Sequence, residues 1–135
     1  MPTSQTTPDD PLTRSIIGRA YAVANGLGTG FLEQVYENAL ANALGDAGLS
    51  VARQSRHDVV FEGRVVGTYV ADIVVEDNVI VELKAVSSLH PTHTAQCINI
   101  LKATGLPLCL LMNFGGIGRA AIATLESSIV PKFVA

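Results

Sequence analysis

Three β-type segments follow one another in the middle of this chain, joined by turns too short for anything but hairpins. Val51 to Phe61, Arg64 to Val75 and Val79 to Val86 are separated only by Glu62-Gly63 and Glu76-Asp77-Asn78. Short turns of this kind make an antiparallel meander. Pro107 to Phe114 (PLCLLMNF) is a near-continuous apolar run, as a strand covered on both faces requires. It follows a helical segment, Thr92 to Thr104, so the strand–helix–strand unit is a right-handed crossover that sets the later strand parallel to the third. Ser87 to Pro91 is the loop before that helix.

Helical spacing dominates the first third. From Thr13, residues Ile16, Ile17, Ala20, Tyr21, Val23, Ala24 and Leu27 recur at helical intervals until Gly26, Gly28 and Gly30 break the pattern. Leu32, Val35, Tyr36, Ala39, Leu40, Ala43, Leu44 and Ala47 form a second stripe, ended by Gly48. After Gly115, Gly116 and Gly118, Arg119 to Leu125 reads as a last short strand or edge. The fold class is α/β, with a core order α-β-β-β-α-β and a mixed sheet flanked by helices. Residues 1–11 form a loose tail, 12–126 a single domain and 127–135 a second tail.

Composition narrows the class further. Of 135 residues, 48% are hydrophobic and 16% charged, which excludes wholesale disorder. No apolar run approaches the ~18 residues of a spanning helix. The start, MPTSQTTPDDPLT, lacks the basic and apolar regions of a secretory signal, which makes the cytoplasm the expected compartment. Cys97 and Cys109 sit in apolar-periodic stretches and read as small buried hydrophobes, ahead of reactive thiols or ligands, and not as a disulfide framework. A net charge of −3 means that any nucleic-acid contact must come from a local basic patch or a bound metal. High apolar content in a small chain also points to a homo-oligomer.

The third strand carries Glu82 and Lys84 two apart, hence on one face, with Val81 and Leu83 on the other. Alone, such a pair could be the solvated side of a sheet. The second strand adds Asp72, among Val, Ile and Ala, where Asp is disfavoured. A three-residue loop, Glu76-Asp77-Asn78, places Val75 opposite Val79 and therefore Asp72 opposite Glu82. A two-residue loop would put the two acids on opposite faces. Asn78 suits the left-handed conformation such a loop needs. Opposed carboxylates repel, and a divalent cation between them reverses the sign.

A third carboxylate comes from the second helix. At ~100° per residue, with Leu32 at zero, Glu33 lies inside the apolar arc and Glu37 just outside it. Glu33 should then face the sheet, either as a third metal ligand or partnered by Tyr36, an Arg or a backbone group. Oxygen ligands of this kind suit Mg²⁺ or Mn²⁺. His57, His90 and His93 have no zinc-like spacing with the cysteines. Carboxylate-bound Mg²⁺ beside a lysine is the equipment for phosphodiester hydrolysis. On the later helix His93, Gln96 and Asn99 form a polar stripe that lines the cleft or faces water. Arg53, Arg56 and Arg64 are the phosphate-contact candidates, unless they belong to a solvated sheet edge.

Asp72, nine intervening residues and then Glu82-Leu83-Lys84, after an acidic helix and before a helix and strand, resemble the PD-(D/E)XK nuclease superfamily. Gly30-Phe31-Leu32-Glu33-Gln34-Val35-Tyr36 is similar to the motif of the GxxExxY proteins, as are Ala71-Asp72-Ile73, Val81 to Lys84, Ala95-Gln96, Leu101-Lys102 and Asn113-Phe114-Gly115. The resemblance covers roughly residues 12–116. It implies a restriction-endonuclease-like core, with Glu33, Asp72 and Glu82 as metal ligands, the Leu83 carbonyl as a further oxygen and Lys84 as catalytic. Gln96 matches a glutamine that helps hold such a site. Ala71 stands where the family has Pro, and Ile100 where it often has an aromatic. Two functions follow from different classes. One is a Mg²⁺-dependent nuclease acting on DNA, ahead of RNA, with His93 and the three arginines as substrate contacts. The other is a catalytically silent scaffold that builds assemblies.

Overall fold

The computed structural model describes residues 7, 9–116 and 120–127. The expectations for 1–6, 8, 117–119 and 128–135, including Gly118, Arg119 and most of both tails, lie outside the described residues.

Helix α1 spans Pro11–Leu27 and α2 spans Glu33–Asp46. Strands β1 (Val51–Phe61), β2 (Arg64–Val75) and β3 (Val79–Lys84) follow, then α3 (Pro91–Thr104), β4 (Leu108–Asn113) and β5 (Ala121–Glu126). The five strands form one mixed sheet in the order β1-β2-β3-β4-β5. β3 and β4 are parallel and the other neighbours antiparallel, as the crossover requires. Two corrections concern helix starts. α1 begins at Pro11, before Thr13, because the Asp10 carboxylate accepts the Thr13 amide at 2.8 Å and Pro fits the first turn. α3 begins at Pro91 because the His90 and His93 side chains cap its first turn reciprocally.

The sheet separates two cores. Ile16, Tyr36, Leu40 and Leu44 from α1 and α2 pack on Ile73, Val75, Val79, Val81, Leu83 and Leu110. On the opposite face Cys97, Ile100 and Leu101 of α3 pack on Val74, Ile80, Cys109 and Leu111. Both cysteines are free and buried, as expected. The Cys109 thiol is pushed well up by its contact with Cys97 and by burial, so it is no reactive thiolate. No helix among the described residues is long and apolar enough to cross a membrane.

The β2–β3 loop has the odd length that parity demands. Val75 pairs with Val79, Val74 with Ile80 and Ile73 with Val81. The left-handed residues are Glu76 (φ 54°) and Asp77 (φ 51°), however, not Asn78. β1 and β2 pair along nearly their whole length, while β3 pairs with only three residues of β2. The tip of the β1–β2 hairpin therefore stands clear of the sheet, with Val60, Phe61, Val65 and Val66 exposed.

Candidate active site at the fork between β2 and β3

Past the Ile73–Val81 pair the β2–β3 ladder stops, and side chains take its place. The Asp72 amide donates to Glu82 Oε1 at 2.9 Å, and the Leu83 amide donates to Asp72 Oδ2 at 2.9 Å. Each carboxylate thus satisfies a backbone donor of the opposite strand that the fork would otherwise leave unpaired. The fork has a local cause. Ile73 packs in the α1/α2 core but Ala71 in the α3 core, so strict alternation lapses at Asp72. Across from it, between the pairs Arg53–Ile73 and Ser55–Ala71, Gln54 holds φ at 48°, strained for a residue with a Cβ.

Burial and charge then act together. Glu82 is 7% exposed, and its carboxyl is pushed up to about 8, first by burial and next by Asp72. Burial also raises Asp72, against the Leu83 amide that holds it down. Lys84, half-buried on the Glu82 face, pulls Glu82, Asp72 and Glu33 towards ionisation. Leu83 is fully buried on the α1/α2 side, as alternation predicts.

Glu33 and Glu37 exchange the places the helical wheel gave them. Glu33 is exposed and Glu37 is 3% exposed. The buried residues of α2 are Tyr36, Glu37, Leu40, Ala41 and Leu44, an arc from about 40° to about 180° with Leu32 at zero. Glu33 falls inside that arc, yet it is the first residue of α2 and overhangs the end of β3. There it meets the Ala85 backbone and the charges of Lys84 and Asp72, and burial raises its carboxyl. Glu37 lies one turn further in, under β1. The i, i+4 spacing of the two acids was the signal that they share one side of the helix.

Glu37 also claims a residue assigned to substrate. Arg53 donates to Glu37 Oε2 through Nε (3.2 Å) and Nη2 (2.9 Å), and bonds Asn38 as well. Arg53 is thus the partner of a buried acid, not a free phosphate contact. Gln54 Nε2 donates to both Glu37 oxygens, at 3.0 and 3.2 Å, and its side chain also lowers Asp72. Residue patterns gave no sign of this Glu37–Gln54–Asp72 chain, because its members are far apart in sequence. Arg56 and Arg64 are exposed on the hairpin. Gln96 is exposed and has no hydrogen bond to the carboxylates among the described residues. His93 Nδ1 accepts the His90 amide at 3.0 Å, a capping duty, and Asn99 reaches Tyr69 at 3.5 Å. The polar stripe of α3 is therefore not gathered at the fork.

The other motif residues shape the ground around Lys84. The Tyr36 hydroxyl donates to the Gly28 carbonyl and accepts the Phe31 amide at 3.3 Å, which fixes the loop that leads into Glu33. The Tyr36 ring stacks on Phe114, with centroids 4.8 Å apart. Asn113 extends the β3–β4 pairing with its side chain, donating to the Val86 carbonyl at 2.9 Å and accepting the Val86 amide at 3.0 Å. A Cβ on Gly115 would lie 2.4 Å from the Val86 nitrogen, so only glycine lets these segments close.

Among the described residues no three His, Cys, Asp or Glu side chains gather tightly enough to enclose an ion. The close set is the pair Asp72 and Glu82, with Glu33 at the rim. That donor set fits Mg²⁺, which keeps several waters and takes one or two carboxylates, and it does not fit zinc.

A family model described as the PD-(D/E)XK nuclease superfamily matches residues 10–124. The chain belongs to the PD-(D/E)XK nuclease superfamily. A solved structure of a protein called SSO0001 shares the fold, with a TM-score of 0.54 at 15% identity over 73% of this chain and 54% of that one. The chain thus spans about half the length of that relative. An alkaline exonuclease (LHK-Exo) from Laribacter hongkongensis gives a TM-score of 0.46 at 15% identity, over 89% of this chain and 72% of that one. No curated protein matches the chain. Superfamily membership accords with the mixed five-stranded sheet flanked by helices.

Proposed function

We propose that this protein is a Mg²⁺- or Mn²⁺-dependent phosphodiesterase that acts on DNA ahead of RNA. We further place it among the GxxExxY proteins, on the motif from Gly30 to Tyr36. The observation that carries the reading is the half-buried Asp72 cross-bonded to the buried Glu82 beside Lys84, two acids whose ionisation is opposed first by burial and then by neighbouring acids, Glu37 for Asp72 and Asp72 for Glu82. Asp72 and Glu82 are the protein's metal-ligand candidates, with Glu33 reaching in from the rim and the Leu83 carbonyl as a further oxygen. These residues would hold a divalent ion, and the chemistry it would supply there is Lewis-acid polarisation of the phosphate and activation of water. The Lys84 ammonium orients the attacking water or offsets charge developing on the phosphate. Glu37 and Gln54 hold Asp72 in place, and Arg53 neutralises Glu37. Arg56 and Arg64 remain available for phosphate.

Labelled single- and double-stranded DNA and RNA, incubated with Mg²⁺, Mn²⁺ or EDTA, test the reading. Cleavage that requires metal and disappears in Asp72→Ala, Glu82→Ala and Lys84→Ala is the expected result. Equal residual cleavage in all three variants identifies a contaminant and overturns it.

A second reading, a catalytically silent scaffold that assembles homo-oligomers, is favoured by Val60, Phe61, Val65 and Val66 on the free hairpin tip. Sedimentation separates the two readings, since a large regular particle without cleavage supports the scaffold.

A further inference from the structure

Phe31 is held rigidly on one side and left open on the other. Its amide donates to the Tyr36 hydroxyl at 3.3 Å. Its ring meets the Tyr36 ring edge to face, with centroids 6.2 Å apart, and Tyr36 in turn stacks on Phe114. Even so, Phe31 is 48% exposed and the adjacent Leu32 78% exposed. The two residues line a cavity of about 380 Å³ with Glu33, and its far wall is Ala85, Val86 and Ser87, directly past Lys84. The ring is thus fixed by Tyr36 on one side and open to the cavity it shares with Glu33 on the other.

The charge distribution says what such a face is for. The chain has a net charge of −3, and Glu33, Glu37, Asp72 and Glu82 surround the fork. Arg53 is spent on Glu37. A nucleic-acid strand therefore finds little phosphate attraction here and needs another source of affinity. Stacking supplies it, because every base has a π-face and the contact needs no cationic side chain.

We propose that Phe31, with Leu32 beside it, is a stacking site for an unpaired nucleobase next to the phosphate to be cut. The proposal rests on the nuclease reading and deepens it. It makes the substrate a single strand or a frayed end in preference to an intact duplex, whose bases are already stacked on one another.

The test uses the full chain with Lys84→Ala to prevent turnover, in Ca²⁺, and a short single-stranded DNA carrying one 2-aminopurine. Binding should quench the probe, and duplex DNA of the same length should bind more weakly. Phe31→Ala should weaken binding about tenfold and abolish the quenching. Phe31→Trp should restore both. Phe31→Leu, which keeps an apolar side chain without a π-face, should behave as Phe31→Ala. Tyr21→Ala, exposed on α1, should change nothing. Affinity should fall less than about tenfold between 50 and 200 mM salt. Unaltered quenching in Phe31→Ala or Phe31→Leu, or a steep salt dependence, overturns the stacking site while leaving the nuclease reading standing. If neither Lys84→Ala nor the wild-type chain in Ca²⁺ binds any nucleic acid, both fall together.

Discussion

Glu82 turns Oε1 back onto the Asp72 amide at 2.9 Å, at the point where the β2–β3 backbone ladder ends. The two acids are therefore structural partners before they are anything else. Glu82→Gln keeps an acceptor for that amide and removes the buried charge. The metal-free variant should be more stable than the wild type at pH 8 and should lose its response to Mg²⁺. Glu82→Ala leaves the amide unpaired and should cost about 1–3 kcal/mol. Urea unfolding with and without Mg²⁺ measures both effects.

Stability of the metal-free protein should fall with rising pH. Glu82 titrates near an ordinary 4.5 when unfolded and near 8 when folded, so between those values the folded state keeps a proton that the unfolded state has released. Its contribution is fully present below pH 4.5 and is lost as pH rises through about 8. Asp72 and Glu33 are raised in the same direction. Unfolding midpoints in EDTA should drop from about pH 5 to about pH 8.5. Divalent metal should restore most of the loss by binding the ionised pair, with proton release on binding. A flat profile contradicts the burial assigned to Glu82.

Arg53 acts through Glu37. Arg53→Ala leaves an acid that is 3% exposed without its cation. The expected cost is about 1–3 kcal/mol of stability, with the salt dependence of nucleic-acid binding unchanged. Arg56→Ala and Arg64→Ala should show the reverse, with little change in melting temperature and a shallower salt slope. Thermal melts and salt titrations on the three variants separate the roles.

The backbone past Lys84 tolerates no side chain at position 115. Gly115→Ala drives a Cβ to 2.4 Å from the Val86 nitrogen, a backbone clash that no rotamer relieves. Destabilisation of roughly 1–3 kcal/mol is expected. Tyr36→Phe removes the hydroxyl that ties Gly28 to Phe31 and should cost about 1 kcal/mol. Proteolysis should then cut more readily between residues 28 and 32.

What could be read in the chain was whatever parity and period control. The three-residue loop Glu76-Asp77-Asn78 and the alternation of Val, Ile and Leu set the register Val75–Val79 to Ile73–Val81, which brings Asp72 and Glu82 to the same end of the two strands. The crossover rule fixed β3 and β4 as parallel. What could not be read depends on where elements end against one another. A helical wheel places Glu33 and Glu37 around an axis but does not say that the sheet stops beneath the first of them. Arg53 pairs with a helix residue 16 positions earlier, and no local pattern announces that bond. Gln54 takes a strained φ across from the point where β2 breaks step at Asp72, and nothing in its own neighbours announces it. The use of His90 and His93 as caps was likewise hidden, since His is a rare capping residue.

The most direct test is a crystal soaked in Mn²⁺ and examined for anomalous scattering. The account predicts a single strong peak within about 2.0–2.3 Å of carboxylate oxygens from both Asp72 and Glu82, lost in Glu82→Gln. Saturating Mn²⁺ with no peak between those two side chains would contradict it.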